Sequence, residues 1–246
     1  MEIKDMLQLI LTALLSAVAG GWAVWIFWNQ KKQKREEELS KREEEKKRQR
    51  QLYANPFILA ANDLQSRLYN ILELSGLSVL RKGQPDGSYA ELTLYLVAKY
   101  FGWVRCLKQN GLYAEDDKFR EFTESIQQSF ATNQYELSGF CFFRPDQEAL
   151  GQHVIKRISG ATQAEYDAIP FYEFKEQLAS PPLSDIKLLS DTLNALKNAR
   201  YVEELEGRER LIVVQNMLVD LLNYLEEKEG YSVFSGTRKK ASATSK

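Results

Sequence analysis

The sequence predicts an all-α protein in which an N-terminal transmembrane helix continues into a charged helical stalk and then a cytoplasmic bundle of about six or seven helices. Three observations support this prediction. Residues 6–28 carry no charge, residues 29–51 contain no glycine, proline or β-branched residue, and apolar residues recur at helical spacing from residue 52 onward. No segment alternates between apolar and polar residues for long enough to predict a β-strand.

The uncharged segment, residues 6–28, has the length and the flanks of a membrane span. Its 23 residues would form a helix roughly 35 Å long, whereas the hydrocarbon core of a bilayer is about 30 Å thick. Tryptophans gather at its C-terminal end, where indole rings favour the headgroup level, and lysines follow them. We therefore predict five anchors at the membrane interface: Trp22, Trp25, Trp28, Lys31 and Lys32.

The distribution of basic residues predicts the orientation of this span. Lysine and arginine are in excess after the span, which places residues 1–5 outside the cell and the body in the cytoplasm. A cleaved signal peptide is the alternative, because Ala17-Val18-Ala19 resembles a cleavage site. The N-terminal region lacks net positive charge and the apolar run continues well beyond that site, so the pattern favours an uncleaved anchor.

Small residues within the span indicate a second feature. Ala13, Ala17 and Gly21 are four residues apart, a spacing that lets helix backbones approach closely in lipid. This pattern predicts a self-association face and therefore a homo-oligomer. The alternative interpretation is a chance run of small residues, which are common in membrane spans.

Residues 29–51 are interpreted as a solvated helical stalk, because charges rather than apolar residues repeat there. KREEE occurs at 34–38 and again at 41–45, but a coiled coil needs an apolar seam, and Leu39 is the sole aliphatic residue of the segment. The glutamates would repel phosphate, which argues against nucleic acid binding. Their spacing instead pairs glutamate with lysine or arginine four residues later, worth roughly 0.2–0.5 kcal/mol per pair.

The body, residues 52–234, begins with two helices of different character. The first starts with Asn-Pro at 55–56, a cap followed by a first-turn proline, and Gly76 lies just past its predicted end. After a turn-rich loop, a capping box at Ser88 opens a helix that is apolar on nearly all sides. We predict that this is the central helix of the bundle.

Further helices follow, and a basic tail ends the chain. Phenylalanine and isoleucine recur at helical spacing over 119–130, and Pro145 is placed as a first-turn residue. A capping box at Thr162 predicts a short helix that Pro170 interrupts. Residues 235–246 have no apolar pattern and are predicted to be disordered. Leucine stripes mark the last two helices, at 186–196 and 211–225.

The composition argues against catalysis, metal binding and nucleic acid binding. His153 is the sole histidine, and Cys106 and Cys141 are far apart in aromatic surroundings, which predicts buried thiols rather than a nucleophile or zinc ligands. No phosphate-binding or hydrolase motif occurs. Residues 52–234 hold 18 basic and 26 acidic side chains, and this acidic body would repel nucleic acid. We expect no enzyme activity, no cofactor and no metal.

Aromatic residues near the central helix suggest one ligand hypothesis. Tyr100, Trp103 and Phe142 could line a cavity between helices, a usual place for a bundle to hold a small molecule or lipid. Arg144, at a predicted helix start beside them, is the first charged residue to test for a role in binding such a ligand. The alternative interpretation is ordinary core packing.

Four stretches of the body carry a resemblance to known proteins. They are DLQSRLYNIL (63–72), TLYLVAKYFGWV (93–104), FFRPDQEALGQ (142–152) and QNMLVDLLNYL (215–225). At these positions the chain resembles uncharacterised bacterial single-span, membrane-anchored helical proteins. The resemblance covers most of residues 50–228 and implies a bacterial inner (plasma) membrane protein. It implies no catalytic or ligand-binding residue.

Together these features predict a membrane-anchored helical interaction or scaffold protein that contacts the lipid bilayer and an unidentified protein partner. Two alternatives stay open. The bundle could be a membrane-tethered sensor that binds a small molecule or lipid, or the chain could be a structural homo-oligomer.

Overall fold

A computed structural model describes six ranges of the chain: 3–83, 88–110, 116–135, 139–158, 165–229 and 237–242. Within them, some helical side chains lie outside the description, at 3–21, 23, 24, 79–81, 83 and 229. The chain divides into two compact units, Met1–Gln49 and Arg50–Lys246. The described residues are mostly helical with few strands, which confirms the all-α class.

The first unit is one continuous helix, α1 (Ile3–Gln49). This helix runs through the KREEE repeats, as predicted. It is uninterrupted because residues 29–49 contain neither a helix breaker nor a β-branched residue. A search of the described residues finds no helix that is both long and apolar enough to cross a membrane, so the structure does not support the predicted span at 6–28. The self-association face at Ala13, Ala17 and Gly21 lies outside the described side chains.

The second unit, the body, opens with a π-helical turn, Arg50–Ala54, and has eight α-helices in its described part rather than six or seven. Its described residues also form 3-10 turns at Leu183–Asp185 and Val202–Glu204. The helices are α2 (Asn55–Glu73), α3 (Gly76–Gly83), α4 (Ser88–Gln109), α5 (Asp117–Ala131), α6 (Arg144–Val154), α7 (Phe171–Leu178), α8 (Lys187–Asn198) and α9 (Arg208–Glu229).

Helix α4 is the central helix of the body, as predicted. It packs against α2, α6, α7 and α8, and most of its side chains are buried, with one partly exposed face at Leu92, Tyr95, Leu96 and Lys99. Its closest neighbour is α6, because glycines face each other at the crossing. A Cβ atom added to Gly151 would lie 2.9 Å from the Cα atom of Gly102. Two small residues therefore let the backbones of α4 and α6 touch.

Helix α9 packs against both α2 and α5 and closes the other side of the body. Asp116 fixes the contact with α5: it caps that helix by accepting from the Phe119 N–H and also accepts from Tyr224 on α9. Lys228, one turn further along α9, forms an ion pair with the same carboxylate. One aspartate thus ties the start of α5 to the end of α9.

Two predictions about the middle of the body were wrong. Thr162 lies outside the described residues, but Tyr166–Ala168 is a strand (β2) rather than a helix, paired antiparallel with Ile155–Arg157 (β1). Each strand has three residues, too few to produce a recognisable alternation. Pro170 does not interrupt a helix but is the N-cap of α7, a position where its missing N–H costs nothing.

Gly76 lies just past the end of α2, as predicted, but it is not the residue whose backbone turns there. Gly76 begins α3, and Ser75 adopts the left-handed conformation, with φ of 53°, that ends α2. Glycine is needed at position 76 for space rather than for its dihedral angle. A Cβ atom there would lie 2.3 Å from the carbonyl oxygen of Asn70.

The prediction of a disordered C-terminal tail was wrong for the six residues that the structure describes there. Residues 237–242 dock on the body by hydrogen bonds to α2 and α9, and Arg238 and Ala241 are buried. An apolar pattern did not predict this contact, because polar side chains and the backbone make most of it.

Candidate functional site

The C-terminal end of the uncharged run presents exposed aromatic side chains on α1. We call Trp22, Trp25, Phe27, Trp28, Lys31 and Lys32 the aromatic–basic segment. Trp22 and Trp28 are 63% and 64% exposed, and Trp25 and Phe27 are exposed as well. The rings of Trp22 and Trp25 have centroids 5.4 Å apart, and the Lys31 Nζ lies 5.9 Å from the centroid of the Trp28 ring.

Contiguous exposed aromatic surface on a helix marks a place that binds another protein or a membrane. Tryptophan beside lysine suits the interface of a bilayer in particular, because the indole prefers the headgroup level and the ammonium group reaches anionic headgroups. The structure thus places the five predicted anchors on the surface of one helix. Their contact with lipid stays a prediction.

The predicted cavity residues lie instead in a closely packed aromatic core. Tyr100, Trp103 and Phe142 are buried. The ring of Tyr100 lies 5.7 Å from that of Phe57, and the ring of Phe142 lies 6.0 Å from that of Phe101, both between centroids. These are ordinary distances for packed aromatic pairs, so the interpretation as core packing accounts for these contacts.

Arg144 belongs to a surface cluster rather than to that core. Its guanidinium donates to Glu124 at 2.6 Å and to Gln127 at 2.5 Å, both on α5, and Lys108 of α4 reaches the same two acceptors. The cluster joins α4, α5 and the start of α6. Arg144 therefore links the start of α6 to α5, and Lys108 extends the cluster to α4.

The surface of the body also has clefts, and they lie away from the predicted cavity. One of about 410 Å³ is lined by α8 and the segment after it, mainly by polar and charged side chains such as Lys187, Asp191 and Glu204. Another of about 370 Å³ lies beside α2 and α3 and contains Arg200 and Arg208. Small-molecule sites are mostly apolar with a few convergent polar groups, which the first lining does not resemble. The second lining combines apolar side chains such as Leu72 and Val202 with its two arginines.

The described histidine and cysteine side chains lie in separate surroundings. Within the described ranges, no three histidine, cysteine or acidic side chains are placed to hold a metal ion. His153 on α6 lies with its Nδ1 3.3 Å from Gln177 Oε1 on α7. Cys106 and Cys141 are free and buried, as predicted. Burial raises the pKa of the Cys106 thiol to about 11, so at neutral pH it is protonated and a poor nucleophile.

A fully buried arginine on α9 was not singled out by the sequence. Arg210 donates to the carbonyl oxygens of Ser129, Thr132 and Gly139, at 3.2, 2.9 and 3.0 Å. Burial is the main cause that lowers its pKa, with the neighbouring Cys141 acting in the opposite direction. The guanidinium thus connects α9 to the end of α5 and to the segment that follows α5. Its role there is to donate hydrogen bonds to backbone carbonyl oxygens.

The second feature missed by the sequence is the docked C-terminal segment. We call residues 237–242 the tail segment, and the surface that holds it, between α2 and α9, the tail groove. Six side chains line this groove by direct contact with the tail segment: Asn62, Glu73, Gln215, Asn216, Asp220 and Glu226.

The contacts give the tail segment a direction in the groove. Arg238 contacts Glu226 near the end of α9, and Ala241 contacts Gln215, eleven positions earlier in that helix. The tail segment therefore runs antiparallel to α9. Its last described residue, Ser242, donates its N–H to Glu73 at the end of α2. This is an extended chain bound along a helix pair, the arrangement of a peptide in a groove.

Comparisons of the chain with protein-family models, with curated proteins and with solved structures find no match. The resemblance to bacterial membrane-anchored proteins stays an expectation.

Proposed function

We propose that this protein is a membrane-anchored interaction or scaffold protein. Helix α1 would hold the chain at the bacterial inner membrane, with the N-terminus outside, and the helical body would bind a protein partner in the cytoplasm. The observation that carries the proposal is the aromatic–basic segment, in which Trp22, Trp25, Phe27 and Trp28 are exposed and lysines follow.

The physical argument for the anchor is the free energy of exposed aromatic surface. Removing apolar surface from water is worth about 25 cal/mol per Å², so four large exposed side chains favour a less polar environment. These side chains end the uncharged run at 6–28, whose earlier residues would extend that environment to the hydrocarbon core. Charged residues beyond Lys31 stay in water and set the boundary.

The argument for a partner rests on the body. Its tail groove already binds an extended segment through main-chain and charged contacts, which is how docking domains hold peptides. A body that presents such a groove next to a membrane would recruit or position another protein there.

The anchor is tested by fractionating cells that produce the full chain and washing the membranes with alkaline carbonate. We expect the chain to stay with the membranes. Replacing Trp22, Trp25 and Trp28 together by serine should move part of it to the wash, whereas Leu39→Ser, which alters another exposed apolar side chain of α1, should not. Complete release of the unaltered chain would disprove the anchor.

The orientation is tested by adding a protease to intact spheroplasts. The body should resist cleavage until the membrane is opened with detergent, because it would lie in the cytoplasm. Cleavage of the body in sealed spheroplasts would contradict the proposed orientation.

A further inference from the structure

We propose that the tail groove is a recognition site for an extended basic peptide. Its ligand would be a segment of a partner protein with an arginine three residues before a small residue, and this segment would replace the chain's own tail segment. The inference names the partner class for the body and so rests on the proposed function, but it does not depend on membrane anchoring.

The groove recognises the main chain of the segment. The Gln215 side chain donates to the carbonyl oxygen of Lys239 at 2.9 Å and accepts from the N–H of Ala241 at 2.8 Å. The Lys239 carbonyl and the Ala241 N–H are two residues apart and lie on one edge of the extended chain. A neighbouring β-strand would bond to backbone groups with the same spacing. Asn216 brackets Ala241 in the same way, with contacts of 2.8 Å to its N–H and 3.2 Å to its carbonyl oxygen. Any extended peptide could form these bonds.

An arginine position provides the first element of sequence selectivity. The Arg238 guanidinium forms two parallel bonds of 2.7 Å to the Glu226 carboxylate and a third of 3.1 Å to Asn62. Its side chain is only 2% exposed. Lysine lacks the planar fork that this bidentate geometry requires, so the site favours arginine.

A position for a small residue provides the second element. Ala241 is 6% exposed and belongs to the apolar core of the body, where its methyl group fits beside α9. Both of its backbone groups are held by the amides of Gln215 and Asn216, so a larger side chain cannot be accommodated by shifting the backbone. The site therefore selects a small residue three positions after the arginine.

Charge complementarity favours a basic ligand over other extended chains. The groove has the carboxylates of Glu73, Asp220 and Glu226. The tail segment has the basic residues Arg238, which pairs with Glu226, and Lys240, which lies 2.8 Å from Asp220. A field of one sign at a binding surface steers ligands of the opposite sign and raises their association rate.

The tail segment is suited to exchange rather than to permanent packing. Ala241 is its one member in the apolar core of the described residues, and the other contacts are polar. A partner peptide that carries the same groups can make the same hydrogen bonds and ion pair, so replacing the tail segment by that peptide costs less free energy than releasing the tail segment into water. A partner segment with the same groups would compete directly for the groove.

The test uses the full chain in detergent and a fluorescent peptide of residues 237–246. In the unaltered chain the tail segment occupies the groove. Arg238→Glu should release it, because a glutamate would face Glu226. We expect the peptide to bind the Arg238→Glu chain at least tenfold more tightly than the unaltered chain, as measured by fluorescence anisotropy.

Peptide variants test the selectivity on that same chain. Alanine at the arginine position and leucine at the position of Ala241 should each weaken binding at least tenfold, whereas alanine at the exposed Lys239 position should change it little. Protection of Cys106 from alkylation shows that the body is folded in each case. Equal binding of the arginine-free peptide would overturn the proposal, since it would reduce the site to general charge attraction.

A charge swap gives a second, independent test. Glu226→Arg added to Arg238→Glu should restore docking of the tail segment and lower peptide binding again. Failure of the peptide to bind the Arg238→Glu chain, combined with its binding to phosphatidylglycerol vesicles, would overturn the groove and assign the basic tail to the lipid surface. Peptide binding tests the groove and membrane fractionation tests the anchor. Because the two measurements are separate, failure of the anchor is distinguished from failure of the groove.

Discussion

Two basic parts of this chain have opposite surroundings. In the stalk, residues 29–51, Lys32 and Glu36 are 3.8 Å apart and their side chains are 75% and 64% exposed. Arg238 of the tail segment lies 2.7 Å from Glu226 of α9, and their side chains are 2% and 15% exposed. Both pairs join a basic and an acidic side chain. Water screens the Lys32–Glu36 pair, whereas the surrounding protein excludes water from the Arg238–Glu226 pair.

The difference shows that charge content alone does not indicate where the ionic interactions matter. An exposed pair gains little, because the charges are already solvated and two long side chains must be held still. A buried pair depends on its partner, because a charge left alone there has lost its water. The dense charges of the stalk therefore support a solvated helix, whereas the ion pairs of Arg238 and Lys240 help to attach the tail segment to the body.

The largest effect is expected from the most deeply buried guanidinium. Arg210→Met leaves the carbonyl oxygens of Ser129, Thr132 and Gly139 without this donor. Each buried unsatisfied acceptor costs about 1–3 kcal/mol, so we expect a loss of about 4 kcal/mol of unfolding free energy. Pulsed alkylation of Cys106 along a urea series measures it. The exposed Arg157→Met is the matched control, and equal effects of both variants would contradict the assigned role.

An intermediate effect is expected in the tail segment. Arg238→Ala should lower the unfolding free energy by about 2 kcal/mol, the range for hydrogen bonds to charged groups. The loss is smaller than for Arg210, because the released segment can leave and Glu226 regains water. Lys239→Ala removes the same charge from an exposed neighbour and should change stability little. The same urea series distinguishes the two variants.

A smaller, pH-dependent effect is expected at Asp116. Burial would raise the pKa of this carboxyl, but hydrogen bonds from Lys228, the Phe119 N–H and Tyr224 outweigh it and lower the pKa. As pH falls, the unfolded chain therefore takes up the proton first, near its ordinary pKa of about 3.9. The stabilisation is present above that pH and is lost as pH falls through the lower folded-state pKa.

Asp116→Asn keeps an acceptor for the helix cap but removes the charge that Lys228 contacts. We expect the variant to lose about 1 kcal/mol at pH 7, the scale of a partly exposed ion pair such as that with Lys228. Its stability should fall less steeply than that of the unaltered chain between pH 5 and pH 3. Parallel curves for the two proteins over that range would show that Asp116 is not the titrating group.

The smallest effect is expected in the stalk. Lys32→Ala should change the unfolding free energy by less than about 0.5 kcal/mol, because its partner Glu36 is exposed and solvated. Circular dichroism of the full chain should show unchanged helix content. A clear loss of helix would mean that the stalk depends on individual pairs, and the contrast with Arg238 would fail.

Much of the fold could be predicted because local patterns match it. The apolar residues of α4 lie on all sides of the helix, and the helix is central. The stripe of α5 and the proline in the first turn of α6 likewise mark helices that form. Side chains on one face of a helix are set by sequence spacing, so burial can be inferred without knowing the neighbouring element.

The candidate sites were less predictable, for a physical reason. Tyr100 and Phe142 have the composition of a ligand pocket, but whether aromatic rings enclose space or fill it depends on how three helices meet. The tail groove had no local signal, because Arg238 and its acceptors Asn62 and Glu226 are separated along the chain. A basic tail without an apolar pattern looks the same whether it is solvated or docked.

The sequence by itself therefore determined the helical class, the continuous charged helix and the central position of α4, since each follows from short-range periodicity and the absence of helix breakers. Only the tertiary structure decided that Arg210 satisfies three backbone carbonyls and that the tail segment occupies a groove between α2 and α9. Such contacts join residues far apart in sequence, and their free energy depends on burial and distance, which no local pattern contains.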